Sequence, residues 1–182
     1  MVNNAFNDGP DLPEGDVGYP CSTQVTDDIT FYGNEYGYLY DGRLGYFDPI
    51  DMPNSAYGAS CGAATLQDGT RIIVVAGGDP PNAGVQIYNM DTMQWTTDGP
   101  RLPSPLKYGL TVPYGNSFLV VGGRDGLSQT DDLDAILEFD PNNMAWIIRP
   151  ESLERPRAFH FVATVDKERF CEWLQTSYTE AK

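Results

Sequence analysis

Apolar residues in this chain come in short runs, each closed by glycine, proline, aspartate or asparagine. The clearest is Arg71-Ile-Ile-Val-Val-Ala-Gly-Gly78, an almost unbroken apolar stretch of the kind a strand buried on both faces shows. It ends in the glycine pair Gly77-Gly78, and Tyr88 and Trp95 follow. The pattern returns in Ser117-Phe-Leu-Val-Val-Gly-Gly123, closed by Gly122-Gly123 and followed by Phe139 and Trp146. A worn copy precedes both: Ile29-Thr-Phe-Tyr-Gly33, with Tyr40 and Phe47. Gly33, Gly78 and Gly123 lie 45 residues apart, and each aromatic pair is separated by seven. A fixed period of this size marks a repeat architecture, in which a unit buries its faces only against its neighbours.

Each copy divides into four short strands. In the first, Cys21 to Val25 and Ile29 to Tyr32 flank the turn at Asp27-Asp28, and Asp41-Gly42 predicts a hairpin between Tyr38–Asp41 and Leu44–Phe47. The second runs Cys61 to Leu66, Arg71 to Ala76, Val85 to Tyr88 and Gln94 to Thr97. The third runs Tyr108 to Val112, Ser117 to Val121, Ala135 to Phe139 and Ala145 to Ile148. The copies span about residues 19–48, 60–98 and 108–149, and a fourth opens at 157–165. Residues 1–166 thus read as one repeat domain. In the tail, 167–182, Phe170, Trp173, Leu174 and Tyr178 have helical spacing and predict a short amphipathic helix.

Four strands per unit, a glycine pair closing the second, Tyr or Phe in the third and Trp in the fourth resemble the kelch repeat, whose period is about 50 residues. Arg157 and His160 match the family's Arg and His at the start of the innermost strand; Lys107 is a basic stand-in and Ala56 departs from the pattern. The resemblance implies an all-β fold: a propeller arc of three four-stranded antiparallel blades with flanking strands. On that reading Gly33, Gly77, Gly78, Gly122, Gly123, Tyr40, Tyr88, Phe139, Phe47, Trp95 and Trp146 are structural, with the rings packed between blades against the space the glycines leave. Propellers close with about 4–8 blades. Three copies therefore read either as a fragment of a larger propeller protein or as a half that a homodimer completes to six.

Charge and chemistry narrow the function. The net charge is -15, and through residue 70 eleven carboxylates stand against one base, Arg43. Such a surface repels phosphate backbones and anionic membranes, which argues against nucleic-acid and membrane binding. No apolar run approaches the roughly 20 residues of a membrane span. With no basic, then apolar N-terminal leader and no glycosylation sequon, the expectation leans toward the cytoplasm. Cys21, Cys61 and Cys171 have no metal-ligand spacing. Cys21 and Cys61 fall at similar places in successive copies, so a bridge between units is open, but two small buried cysteines are the preferred reading. His160 is the only histidine, no nucleophile elbow is present, and the acidic loop Asp125, Asp131, Asp132 and Asp134 lacks the EF-hand spacing. No catalytic constellation, metal or cofactor is expected.

The resemblance then implies a binding platform for a protein or peptide, formed by the loops that leave the glycine pairs and those that lead into the innermost strands. Asn34, Asp79 and Arg124 follow the glycines; Lys107 and Arg157 open the innermost strands, with Arg155 and His160 nearby. The cations there suit an acidic peptide. The alternatives are a self-associating half-propeller, or a piece of a galactose-oxidase-like enzyme whose catalytic residues lie outside this chain.

Overall fold

The computed structural model describes residues 19–160. They form twelve strands in three four-stranded antiparallel sheets, each a simple meander. Blade 1 is β1 (Cys21–Gln24), β2 (Ile29–Gly33), β3 (Gly37–Asp41) and β4 (Tyr46–Ile50). Blade 2 is β5 (Ser60–Thr65), β6 (Arg71–Ala76), β7 (Val85–Asn89) and β8 (Gln94–Thr96). Blade 3 is β9 (Leu110–Tyr114), β10 (Ser117–Val121), β11 (Ala135–Asp140) and β12 (Ala145–Ser152), with one 3-10 turn, Gln129–Asp131, between β10 and β11. Strand β5 lies between β1 and β9, so the first strand of each blade is innermost and the arrangement is propeller-like. The fourth copy beyond His160 and the expected tail helix lie outside the described residues.

The seven-residue aromatic spacing has a local cause. Asp41, Asn89 and Asp140 each turn a side-chain oxygen onto the backbone N–H groups two and three residues ahead, at 2.8–3.3 Å. Each turn ends in a left-handed residue: Gly45, Met93 and Met144, at φ 63°, 55° and 49°. One turn geometry in all three blades sets Tyr40 against Phe47, Tyr88 against Trp95 and Phe139 against Trp146 as register partners. Their rings lie 4.8, 5.1 and 5.2 Å apart. The short Asp41-Gly42 hairpin is therefore corrected: this longer Asx turn carries the chain to Tyr46 before β4 begins.

Strand β6 shows why the run at 71–76 carries no polar alternation. Ile72, Val74 and Ala76 face blade 3, in a core with Phe118, Val120, Leu137 and Phe139. Ile73 and Val75, with Tyr88, face blade 1 and join Phe31 and Cys21. Both faces are buried, so both parities are apolar. The aromatic pairs of blades 2 and 3 pack backward, onto the preceding blade: Trp95 meets Phe31, and the Trp146 Nε1–H donates to the Pro100 carbonyl at 2.8 Å.

The glycines do something other than expected. What lies on Gly77 and Gly122 is the returning linker backbone, the Leu106 and Arg157 carbonyls, and not the aromatic pairs. The N–H groups of Gly78 and Gly123 donate to those carbonyls at 2.9 and 2.8 Å. With φ between 62° and 131° at all four, a side chain would be strained as well as obstructed. Gly33 is not their equivalent. It pairs with Cys21, as Ala76 pairs with Ser60 and Val121 with Leu110, so it is the last residue of its strand. A three-residue turn follows it, against loops spanning 77–84 and 122–134 in the next blades. The even spacing of 45 arises from unequal loops that happen to compensate.

Cys21 and Cys61 are bonded to each other, with their Cα atoms 5.5 Å apart. The preference for separate buried thiols is thereby corrected: β1 and β5 run side by side as neighbouring innermost strands, bringing the two cysteines within bridging reach. Such bonds persist where thiols stay oxidised. No helix among the described residues is long and apolar enough to cross a membrane.

Candidate functional site

The chain enters each innermost strand through a residue in left-handed backbone conformation. These are Tyr19, Gly58 and Tyr108, at φ 49°, 65° and 56°, and Phe159, after blade 3, takes the same conformation at φ 52°. Each of the first three stands two residues before its strand, and Gly58 N–H donates to the Tyr19 carbonyl while Tyr108 N–H donates to that of Gly58. Successive blades are thus stitched together around the axis at one equivalent position. Glycine takes this conformation freely; an L-residue gives up roughly 1–2 kcal/mol there. Three bulky aromatics holding it, at the mouth of the innermost strands, is the kind of stored strain that gathers at binding sites.

Their rings converge. Tyr108 and Phe159 lie 3.9 Å apart, Tyr19 is 5.1 and 5.2 Å from them, and Tyr57 closes on Tyr19 edge-on at 5.7 Å. Tyr108 leans over Gly58, where any side chain would collide with its ring. Tyr19 and Phe159 remain 52% and 49% exposed. Beneath the rings, between the innermost strands, is a cavity of about 260 Å³ whose wall includes Ser22, Ser60, Thr111 and the Cys21–Cys61 bridge. Two hydroxyls tie neighbouring strands along it: Ser60 donates to the Gly109 carbonyl at 2.9 Å and Thr111 to that of Cys61 at 2.6 Å.

The expected charges flank this mouth, but half are already spent. Lys107 is 6% exposed and its Nζ donates to Asp79 Oδ1 at 2.9 Å; the Tyr108 hydroxyl donates to Asp79 Oδ2 at 2.6 Å. The tyrosine and the lysine together hold the Asp79 carboxyl below its usual range, while burial and then Asp79 push the Tyr108 phenol up. Arg124 is 9% exposed, donates from Nε to Asp132 Oδ1 at 2.7 Å, and lies 5.3 Å from the centre of the Phe159 ring. Its backbone and that of Lys107 exchange two hydrogen bonds, at 2.8 and 2.9 Å. These two cations support the rings and strap the blades together; they do not point to solvent.

Arg155 and Arg157 differ. Both are exposed and neither forms a salt bridge among the described residues. Arg157 is positioned by its backbone, which accepts from Gly123 and donates to Leu133. His160 is half-buried beside Gly122, and its ring nitrogens have no hydrogen-bond partner among the described residues. Burial first, then Arg157, lowers its pKa and favours the neutral imidazole. Asn34 stands apart at the tight turn of blade 1, its carbonyl accepting from Ala56 N–H at 2.6 Å. The structure therefore brings Asp79, Lys107, Arg124, Arg157 and His160 around one mouth. Sequence reasoning missed its centre, Tyr19, Tyr57, Tyr108 and Phe159. The signal was an aromatic closing each linker: Tyr-Pro-Cys, Tyr-Gly-Ala, Tyr-Gly-Leu and Phe-His-Phe. Among the described residues no group of three or more His, Cys, Asp or Glu is placed to hold a metal ion.

The chain is similar to the solved structure of YjhT, with a TM-score of 0.60 over 81% of this chain at 19% sequence identity. The match covers 54% of the YjhT chain, so this chain spans about half the length of the structure it matches. At that identity the likeness speaks for the fold alone. No family model and no curated protein matches the chain.

Proposed function

We propose that this chain is a kelch-type propeller arc that works as a non-enzymatic platform, binding a protein or peptide through its loop face. The observation that carries the reading is the aromatic mouth: strained, half-exposed rings over a small cavity, propped by buried cations. Aromatic side chains offer large contact area at low conformational cost and dominate the buried centres of interfaces. Arg157 beside the mouth and the neighbouring Arg155, exposed and without a salt bridge among the described residues, favour a partner with carboxylates beside an apolar or prolyl anchor, and the anchor is what fills the mouth. The kelch assignment is supported by the backward-packing aromatic pairs and by the left-handed glycine pairs of blades 2 and 3.

A random-peptide display selection against the immobilised chain tests this. Recovered peptides should pair Asp or Glu with proline or an aromatic. Tyr19→Ala should abolish their binding. Reversing both rim charges, Arg155→Glu with Arg157→Glu, should weaken it about tenfold, the combined effect of two exposed charges, and less at high salt. Peptides indifferent to all three substitutions would overturn the site.

A further inference from the structure

The innermost strands of the three blades share one register. Cys21, Ser60 and Leu110 hold equivalent places, each opposite the last residue of its second strand, and Ser22, Cys61 and Thr111 hold the next. One pair of positions therefore ties each junction. Between blades 2 and 3 that pair is Ser60 and Thr111, whose hydroxyls donate across the junction to the Gly109 and Cys61 carbonyls. Between blades 1 and 2 the same two positions are Cys21 and Cys61, and a covalent bond stands in for both hydroxyl ties. A thiol is a weak donor, so the reduced pair would not reproduce what the serine and threonine do. Of the two junctions, only the first is tied by a link that thiol chemistry can open.

The bridge lies where its loss is felt at the mouth. Tyr19 stands two residues before Cys21, and its ring is the one that meets Tyr57, Tyr108 and Phe159. Its carbonyl accepts from Gly58 N–H at 3.1 Å, a longer bond than the 2.7 Å of the equivalent one from Tyr108 N–H to Gly58. Cys21 and Cys61 are 7% and 1% exposed, yet both line the cavity beneath the rings, which gives a small thiol its approach. We infer that the Cys21–Cys61 bridge is a redox control of the mouth: closed, it fixes Tyr19 among the other rings; reduced by a dithiol, it frees the entry to β1 and Tyr19 with it. This rests on the mouth being the binding site. In the exchange, one thiolate of the dithiol attacks the more exposed Cys21 sulfur, forming a mixed disulfide and expelling the Cys61 thiolate, which takes up a proton. The second thiol of the reductant then displaces Cys21. The reductant leaves as a cyclic disulfide, and two electrons and two protons have passed to the bridge. The coupling is reciprocal: whatever factor the bridge adds to binding, the bound ligand adds to the bridge's resistance to reduction.

Hydrogen exchange read by NMR on the full chain, carrying Cys171→Ser so that only the two bridged cysteines react, compares the oxidised form with the form reduced by dithiothreitol. The Gly58 amide should exchange at least tenfold faster after reduction, while the Tyr108 amide, its equivalent at the next junction, should not change. Peptides recovered by display on the oxidised chain should bind the reduced chain at least tenfold more weakly, and at saturation should make the bridge harder to reduce by the same factor. Cys21→Ser/Cys61→Thr, which copies the Ser60 and Thr111 pair, should bind those peptides equally with and without dithiothreitol. Equal Gly58 exchange in the two forms, Tyr108 exchange that rises along with it, or peptide affinity indifferent to reduction overturns the inference. A selection that returns no peptide overturns the platform reading instead, and the Gly58 amide still decides whether the bridge holds Tyr19.

Discussion

Two groups of aromatic rings in this chain do opposite work. Phe118, Phe139 and Trp146 stack at 5.2–5.9 Å in the junction of blades 2 and 3; their backbone is ordinary strand and Phe118 and Phe139 are sealed from water. Tyr19, Tyr108 and Phe159 contact one another at 3.9–5.2 Å, but in left-handed backbone and with two of the three rings half-exposed. Ring contacts alone do not distinguish the two groups. Backbone conformation and exposure do: the first cluster costs no strain and excludes water, the second is strained and remains wet.

The most severe way to probe that contrast is Phe118→Ala. It opens a cavity over Gly62, and the chain should lose about 3–5 kcal/mol, read as a lower urea midpoint. A loss under about 1 kcal/mol would mean that the junction is not a packed core.

A smaller effect separates the props of the mouth from its rings. Asp79→Ala strands the Lys107 ammonium away from water and should cost about 3 kcal/mol at neutral pH, at the low end for a broken buried pair because Asp79 is itself part-exposed. The pH dependence carries the sign. The folded-state pKa of Asp79 is depressed, so its contribution is complete above the unfolded value of about 4 and is lost as pH falls through the folded value. The wild type should therefore lose stability below about pH 4 more steeply than Asp79→Ala. Equal acid slopes would show that the carboxylate does not hold Lys107.

How far each cluster was legible in the sequence follows from what encodes it. The core aromatics were readable because one Asx turn, at Asp41, Asn89 and Asp140, fixes a separation of seven that survives loop changes elsewhere. Glycine spacing was a poorer guide: Gly33 kept the interval of 45 while sitting at the strand position of Ala76 and Val121. The mouth was hardest to read. Its shared property is a left-handed φ, which Tyr, Gly, Tyr and Phe fill in turn, so no residue type announces it. Lys107, Arg124 and Arg157 come together in the structure, but the partners that neutralise Lys107 and Arg124 arrive from loops at other places in the sequence, Asp79 and Asp132. Only tertiary structure shows that Lys107 and Arg124 are paired while Arg155 and Arg157 form no salt bridge among the described residues.

The finest test of the comparison is Phe159→Gly, where two terms of similar size oppose each other. Glycine relieves a left-handed residue of roughly 1–2 kcal/mol, while the ring contacts with Tyr108 and Tyr19 give up about 0.5–1.5 kcal/mol each. Phe159 is 49% exposed, so about half of a fully buried residue's burial is at stake. Net stability should stay within about 1 kcal/mol of wild type, and peptide binding at the mouth should fall more than tenfold. That pairing, binding lost without stability, is what a ring held for a partner predicts. If Phe159→Gly instead lowers the urea midpoint as far as Phe118→Ala does, the mouth rings are a second core, and the strain they carry is repaid by folding rather than by a ligand.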